Sequence, residues 1–290
     1  MDKPVSPRSS SAVAKVYGVE LFYENTPRTT KEQLFEILKK RSPDIAPVAQ
    51  ERDTGPWVFE HQEHPVPPGG GAARSLVAVS RQRPDLRTLE PSLKQSWGWP
   101  QAAELLPRFR GSILVTDMLS AGLHHLERLV LFERVLSCVL EAYPCLAIHW
   151  QPTQQLVDPQ QYLAAVSAAG GLVFTPGPLN VRLFRIVAED PATEGSAGDI
   201  VMDTLGLACL GLPDLQCHFT GLDPEAVSRV LYNTGIYLFE RGDVLDKDHT
   251  VPGIGPSDKW RCRREPSLAL PERTVIDLDP GPPHTARDRR

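Results

Sequence analysis

Three residues that could do acid–base chemistry lie close together in this sequence: Asp203, Asp214 and His218. A carboxylate and an imidazole held within about 3 Å of a shared proton or water make a general acid–base site. They belong to the run Met202-Asp-Thr-Leu-Gly-Leu-Ala-Cys-Leu-Gly-Leu-Pro-Asp-Leu-Gln-Cys-His-Phe219, which is apolar with polar groups at its ends. Leu212-Pro213-Asp214-Leu215 reads as a turn, because proline fixes φ at the second position and Asp bonds its own backbone. The arms, 204–210 and 215–219, then form a hairpin of buried strands. Gly206 and Gly211 predict a bulge or the close approach of another backbone. A hairpin brings its ends together, so Asp203, Thr204, Asp214 and His218 become one candidate site. Asp203 or Asp214 would be the base, and His218 or His149 the acid. Turn and cap chemistry accounts for the same residues without any activity. No second His or Cys stands at ligand spacing, so no metal or cofactor is expected.

Other candidates carry less. His61 and His64 fall on a predicted strand, where positions i and i+3 face opposite ways and cannot share a metal. His149 beside Trp150 reads as a hydrogen-bonded strand-end histidine, with no Ser, Cys or acid spaced to pair with it. Trp97 and Trp99 could form a binding platform or a lid over a core edge. Asp243, Asp246 and Asp248, near Glu240, could face a basic partner. The glycines of 65–71 lack the Gly-Lys-Ser/Thr ending of a phosphate loop.

The elements that must position these residues read as α+β, with mixed or antiparallel sheets and packed helices. Strands are expected at 15–23, 57–64, 75–80 and 112–117. Helices are expected after the capping boxes at Thr29 and Thr30, and after Ser96. This β-α-β-β-α-β order is that of the split βαβ, ferredoxin-like arrangement. A long apolar helix, 126–143, and a strand at 145–150 follow. A short helix is capped by Asp158 with Pro159 at its first position. A strand at 180–188 precedes the hairpin, and a helix capped by Asp223 follows it. Short closing strands are expected at 260–264 and 273–278. The expected organisation is a disordered tail over 1–13, an N-terminal α+β region over 14–176, a C-terminal region over 177–280 with hairpin plus helix, and a tail over 281–290.

Composition bounds the function. The chain has 290 residues, a net charge of −5 and interspersed charges, which argues against a nucleic-acid surface. No run approaches the roughly 18 apolar residues of a membrane helix, and the first residues lack the apolar region of a secretion signal. Five cysteines are scattered without a C-x-x-C pair; four lie in apolar helix or strand contexts and read as small buried hydrophobes, which suits a reducing cytoplasm.

The run Asp203-Thr-Leu-Gly206-Leu-Ala-Cys-Leu-Gly211-Leu-Pro213-Asp214 resembles the signature of a bacterial family known as domain of unknown function 4261. Asp223-Pro-Glu-Ala-Val, Asn233, Tyr237 and Gly242-Asp-Val-Leu fit it too, so the resemblance covers 199–253. It implies a bacterial α+β protein and supplies no catalytic residue. The function expected is a non-enzymatic protein-binding module, of accessory or immunity type, with another protein as partner. The alternatives are a hydrolase-like enzyme using Asp203, Asp214 and His218, and a dimer formed through a sheet edge. Thr204, Gly206, Gly211, Trp97, Trp99, Asp243 and Asp246 are the candidate binding residues.

Overall fold

A computed structural model describes residues 16–49, 55–66, 71–186 and 199–286. The chain divides into two compact units, with the break between Asn180 and Val181. The expected tail over 1–13 and the last two residues of the strand expected over 180–188 lie outside the described residues. So do 67–70 of the glycine-containing loop and 287–290 of the C-terminal tail.

The N-terminal unit runs β1 (Gly18–Tyr23), α1 (Lys31–Arg41), β2 (Ile45–Pro47), β3 (Trp57–Val66), β4 (Gly71–Ser80), α2 (Glu90–Lys94), α3 (Ala102–Leu105), β5 (Gly111–Met118), α4 (His125–Ala142), β6 (Ala147–Trp150), β7 (Gln155–Val157) and α5 (Pro159–Ala168). Helix α1 starts at a capping box, in which Gln33 N donates to Thr30 Oγ1 and Thr30 N to Gln33 Oε1. Seven strands form one sheet in the order β2-β3-β4-β5-β1-β6-β7, and every pairing is antiparallel.

The α+β class expected from the sequence is the one observed, but the split βαβ order is not. That order would place β1 beside β4; here β5 lies between them. The reason is the 81–110 connection. It holds two short 3₁₀ turns, Leu86–Leu89 and Leu106–Arg108, and the helices α2 and α3, five and four residues long. A five-residue helix rises about 7.5 Å, against roughly 26 Å for an eight-residue strand. Neither helix is long enough to serve as a crossover helix along the sheet, and β5 lies as the antiparallel neighbour of β4.

Strand β1 shows how alternation divides the core. Val19 and Leu21 share one face with Tyr17, which meets Phe132 of α4 edge-on at 5.0 Å and Trp150 at 5.9 Å. Phe22 points the other way and stacks on Phe109 at 4.6 Å, in a cluster with Leu89, Ala102, Ala147 and Leu156.

The C-terminal unit contains β8 (Asn180–Arg185), β9 (Ile200–Leu205), β10 (Asp214–Phe219), α6 (Pro224–Arg241), β11 (Thr250–Pro252), β12 (Lys259–Pro266) and β13 (Thr274–Asp279). The sheet order is β11-β12-β13-β10-β9-β8, with β10 and β13 parallel. Asp223 caps α6, accepting from the backbone N–H groups of Glu225 and Ala226, and Pro224 opens the helix. Helix α6 packs over β9 and β10 with Val227, Val230, Leu231 and Leu238 buried.

The hairpin exists, but its turn does not fall at 212–215. Asp214 and Leu215 already belong to β10. The connection is longer and holds a single 3₁₀ turn, Ala208–Leu210. Gly206 (φ 129°) leaves β9 and Gly211 (φ 83°) closes the turn, both in backbone regions that side chains disfavour. The expected tail from 281 is ordered as far as it is described. Thr220 N donates to His284 O, and Thr285 bridges to Phe219.

Candidate functional site

The hairpin places a row of polar residues across the C-terminal sheet. Arg263 lies opposite Asp277, Asp277 beside Gln216, and Gln216 opposite Asp203. Asp203, Gln216 and Asp277 are buried. A carboxylate removed from water needs a cation and further donors. Asp203 finds two cations. Arg182 of β8 grips it with both prongs, Nε to Oδ1 at 2.9 Å and Nη2 to Oδ2 at 2.6 Å. Arg273 donates from Nη2 to the same Oδ2 at 2.8 Å.

Arg273 also donates from Nε to Asp214 Oδ2 at 2.9 Å. The other oxygen of Asp214 accepts from Thr204 Oγ1 at 3.2 Å and from Leu207 N at 3.1 Å. Burial pushes the Asp214 carboxyl up to about 6. The neighbouring Arg273 opposes that rise and the charge of Asp203 adds to it. Two arginines and two carboxylates therefore form one closed, net-neutral cluster. The structure brings Asp203, Thr204 and Asp214 together, as a network whose acceptors are filled.

Arg273 Nη2 also donates to Thr204 O at 2.8 Å, and further donors of both arginines reach one loop, 267–273, between β12 and β13. Arg182 Nη2 donates to Leu270 O at 2.8 Å. Arg273 Nη1 donates to Pro271 O at 2.8 Å and to Ala269 O at 3.2 Å. Gln216 completes the clamp by accepting from Leu268 N at 3.0 Å. Leu268 and Leu270 point outward, 44% and 74% exposed.

His218 stands apart from this cluster, with its Nε2 3.6 Å from Asp199 Oδ2. Asp243 and Asp246, after α6, are engaged as well. Asp243 pairs with Arg264, and Asp246 lies 3.8 Å from the same guanidinium. Trp99 packs against the Phe22 cluster, whereas Trp97 is 44% exposed and donates from its indole to Lys94 O. The two indoles thus occupy different surroundings.

In the N-terminal unit the structure supplies partners the sequence did not reveal. His149 Nε2 lies 2.9 Å from Ser92 Oγ, so a serine does pair with it. The pair lacks the rest of a catalytic arrangement. Ser92 is buried, and among the described residues His149 Nδ1 has no hydrogen-bond partner to orient the ring. Burial lowers His149 to about 4. His61 bonds Ser75 at 2.8 Å and His64 bonds Glu127 at 2.7 Å. Among the described residues, no group of three His, Cys, Asp or Glu is placed to hold a metal ion.

Comparison with known families bears on this same region. Residues 203–279 match the model of a family described as Domain of unknown function (DUF4261). The DUF4261 match opens at Asp203 and closes at Asp279, so it includes Asp214, Arg273 and the clamped loop; Arg182 precedes it. It also runs past Gly253, beyond the stretch where the sequence signature was legible. No curated protein and no solved structure matches the chain.

Arg182 and Arg273 are the residues that sequence reasoning missed. The available signal was Asp203 within an apolar strand, since a buried carboxylate demands a cation. Spacing along the chain does not say which of many arginines answers.

Proposed function

We propose that this chain is a non-enzymatic protein-binding module, an accessory or immunity-type protein of a bacterial cytoplasm, which meets its partner through the 267–271 loop. The observation that carries this reading is the clamp on that loop: four hydrogen bonds, three from two buried arginines and one from the Leu268 amide to Gln216, fix a segment that presents Leu268 and Leu270 to solvent. Ordering a loop on binding weakens association, and a loop fixed beforehand avoids that loss. Each leucine gains roughly 1.5–3 kcal/mol on full burial. The five free thiols fit a reducing compartment.

Against the hydrolase alternative stands the occupancy of its carboxylates. Asp203 and Asp214 already accept from arginines, a hydroxyl and an amide, and a base needs a free lone pair facing substrate. The test is affinity capture from native lysate with wild type and the Leu268→Ser/Leu270→Ser variant. Loss of one stoichiometric protein in the variant, with an unchanged melting temperature, supports the reading. Equal capture by both proteins refutes this contact surface.

A further inference from the structure

A second feature of the C-terminal unit lies away from the clamped loop. A cleft of about 630 Å³ opens between the segment 247–250 and strand β12, lined by Lys247, Asp248, His249, Arg261, Arg263 and Asp279, with Thr250 and Cys262. Its walls are fixed by the backbone. Cys262 N donates to His249 O at 2.9 Å, and Thr250 pairs with Arg261 across the β11–β12 ladder.

The cleft is rich in donors. Arg261 and Arg263 alternate on β12, so both guanidinium groups leave the same side of the strand, and both residues are exposed. Lys247 adds a third cation. The ring of His249 is held in one sense: its Nδ1 accepts from Asp246 N at 3.0 Å, which leaves Nε2 to carry the proton and donate. On the acidic side, Asp279 is engaged already, its Oδ1 accepting from Gly281 N at 3.0 Å and Thr285 Oγ1 at 2.6 Å. Asp248 sits at φ 134°, outside the usual backbone regions for a side-chain-bearing residue. Buried Cys262 is no nucleophile at neutral pH, since burial pushes its thiol up to about 11. The chemistry is that of recognition by charge and donors, and its complement is a multiply charged oxyanion.

We propose that the cleft formed by Lys247, His249, Arg261 and Arg263 is a binding site for a small polyanionic ligand carrying phosphate or carboxylate groups. Arginine forks suit both planar carboxylates and phosphates, so the two sources share one recognition chemistry. The proposal goes beyond protein binding through the 267–271 loop and does not depend on it.

The experiment is calorimetric titration of the full chain at low ionic strength with sodium pyrophosphate and, separately, with the tricarboxylate tricarballylate. Binding of either is expected, and the one preferred identifies the source. Arg261→Gln/Arg263→Gln should weaken that binding by about tenfold or more. The charge-matched control Arg229→Gln/Arg241→Gln, on α6, should leave it unchanged. Absence of binding by both anions overturns the proposal, as does equal weakening by the two double variants, which would mark a diffuse charge effect. Wild-type NMR provides a check that needs no variant. The His249 ring resonances should shift with the bound anion, and fixed resonances at saturation would overturn the assignment.

Discussion

Arg273 joins Asp203 to Asp214: one guanidinium donates to Asp203 Oδ2 at 2.8 Å through Nη2 and to Asp214 Oδ2 at 2.9 Å through Nε. All three side chains are about 1% exposed. This relationship turns the two carboxylates that looked like candidate bases into structural members of an ion cluster, and it sets what their replacement should do. Asp203→Asn leaves the bidentate charge of Arg182 unanswered in the interior. Breaking a buried pair from one side costs about 3–5 kcal/mol. Urea unfolding should show a loss of that size in the C-terminal unit, with faster amide exchange over 267–273 as the clamp loosens. Replacing both partners, Arg182→Met with Asp203→Leu, should cost less than Asp203→Asn alone. A stable, fully clamped Asp203→Asn protein would contradict the cluster's structural role.

Glu133 gives a pH dependence with a definite sign. It is fully buried on α4, accepts from Tyr162 Oη at 3.2 Å and Val173 N at 2.8 Å, and burial raises it to about 8. The unfolded chain ionises this group near 4.5. Between those values the folded state holds a proton that the unfolded state has released. Stability contributed by Glu133 is therefore present at low pH and lost as pH rises from about 4.5 to about 8, by up to about 5 kcal/mol. Glu133→Gln keeps the shape and removes the ionisation. It should be near neutral at pH 5 and stabilising at pH 9, read by thermal melting at each pH. Equal effects at both would rule out Glu133 as the titrating group.

Two histidines act in the opposite direction. Burial lowers His61 and His149 to about 4, from an ordinary value of 6.5. Asp44 pulls His61 partly back up, and His64 and Arg134 press it further down. As pH falls below about 6.5 the unfolded chain takes up two protons that the folded unit refuses until about pH 4, so stability is lost across that window. Both residues belong to the N-terminal unit. Its acid unfolding should begin below pH 6.5 in wild type and show a shallower slope in His149→Gln. NMR titration should find both imidazoles neutral at pH 5.5; a charged ring there would refute the assignment.

The legibility of this chain follows from the range of the interactions. Capping is local, so Thr30–Gln33, Asp158–Pro159 and Asp223–Pro224 mark their helices correctly. Alternation is local too, and the strands around Leu21, Val77, Val115 and Cys262 stand where the pattern put them. Strand order is not local, since it depended on whether 81–110 could span the sheet. The cluster partners are the least local of all. Arg273 is 70 residues from Asp203 and 59 from Asp214, and nothing in the intervening sequence records that approach. Ser92 and His149 met for the same reason, through pairing of β1 with β6 and the return of α2 beside β7.

Gly177 offers a steric prediction in the N-terminal unit. Its φ is 112°, a conformation that a side chain resists, and an added Cβ would stand 2.4 Å from Cε2 and 2.5 Å from Nε1 of Trp150. That indole is wholly buried beside Tyr17, Phe132 and Tyr162 and has little room to move. Thr153 Oγ1 also donates to Gly177 O at 2.8 Å, fixing the backbone in place. Gly177→Ala therefore adds backbone strain to overpacking, each costing about 1–3 kcal/mol. The measurement is chemical unfolding of the variant followed by tryptophan fluorescence. A loss of several kcal/mol with a shifted emission maximum is expected. Gly171 makes the control: it has a similar φ of 118° but nothing within 4 Å of an added Cβ, so Gly171→Ala should show the backbone cost alone. Equal losses for the two variants would mean that contact with Trp150 contributes nothing.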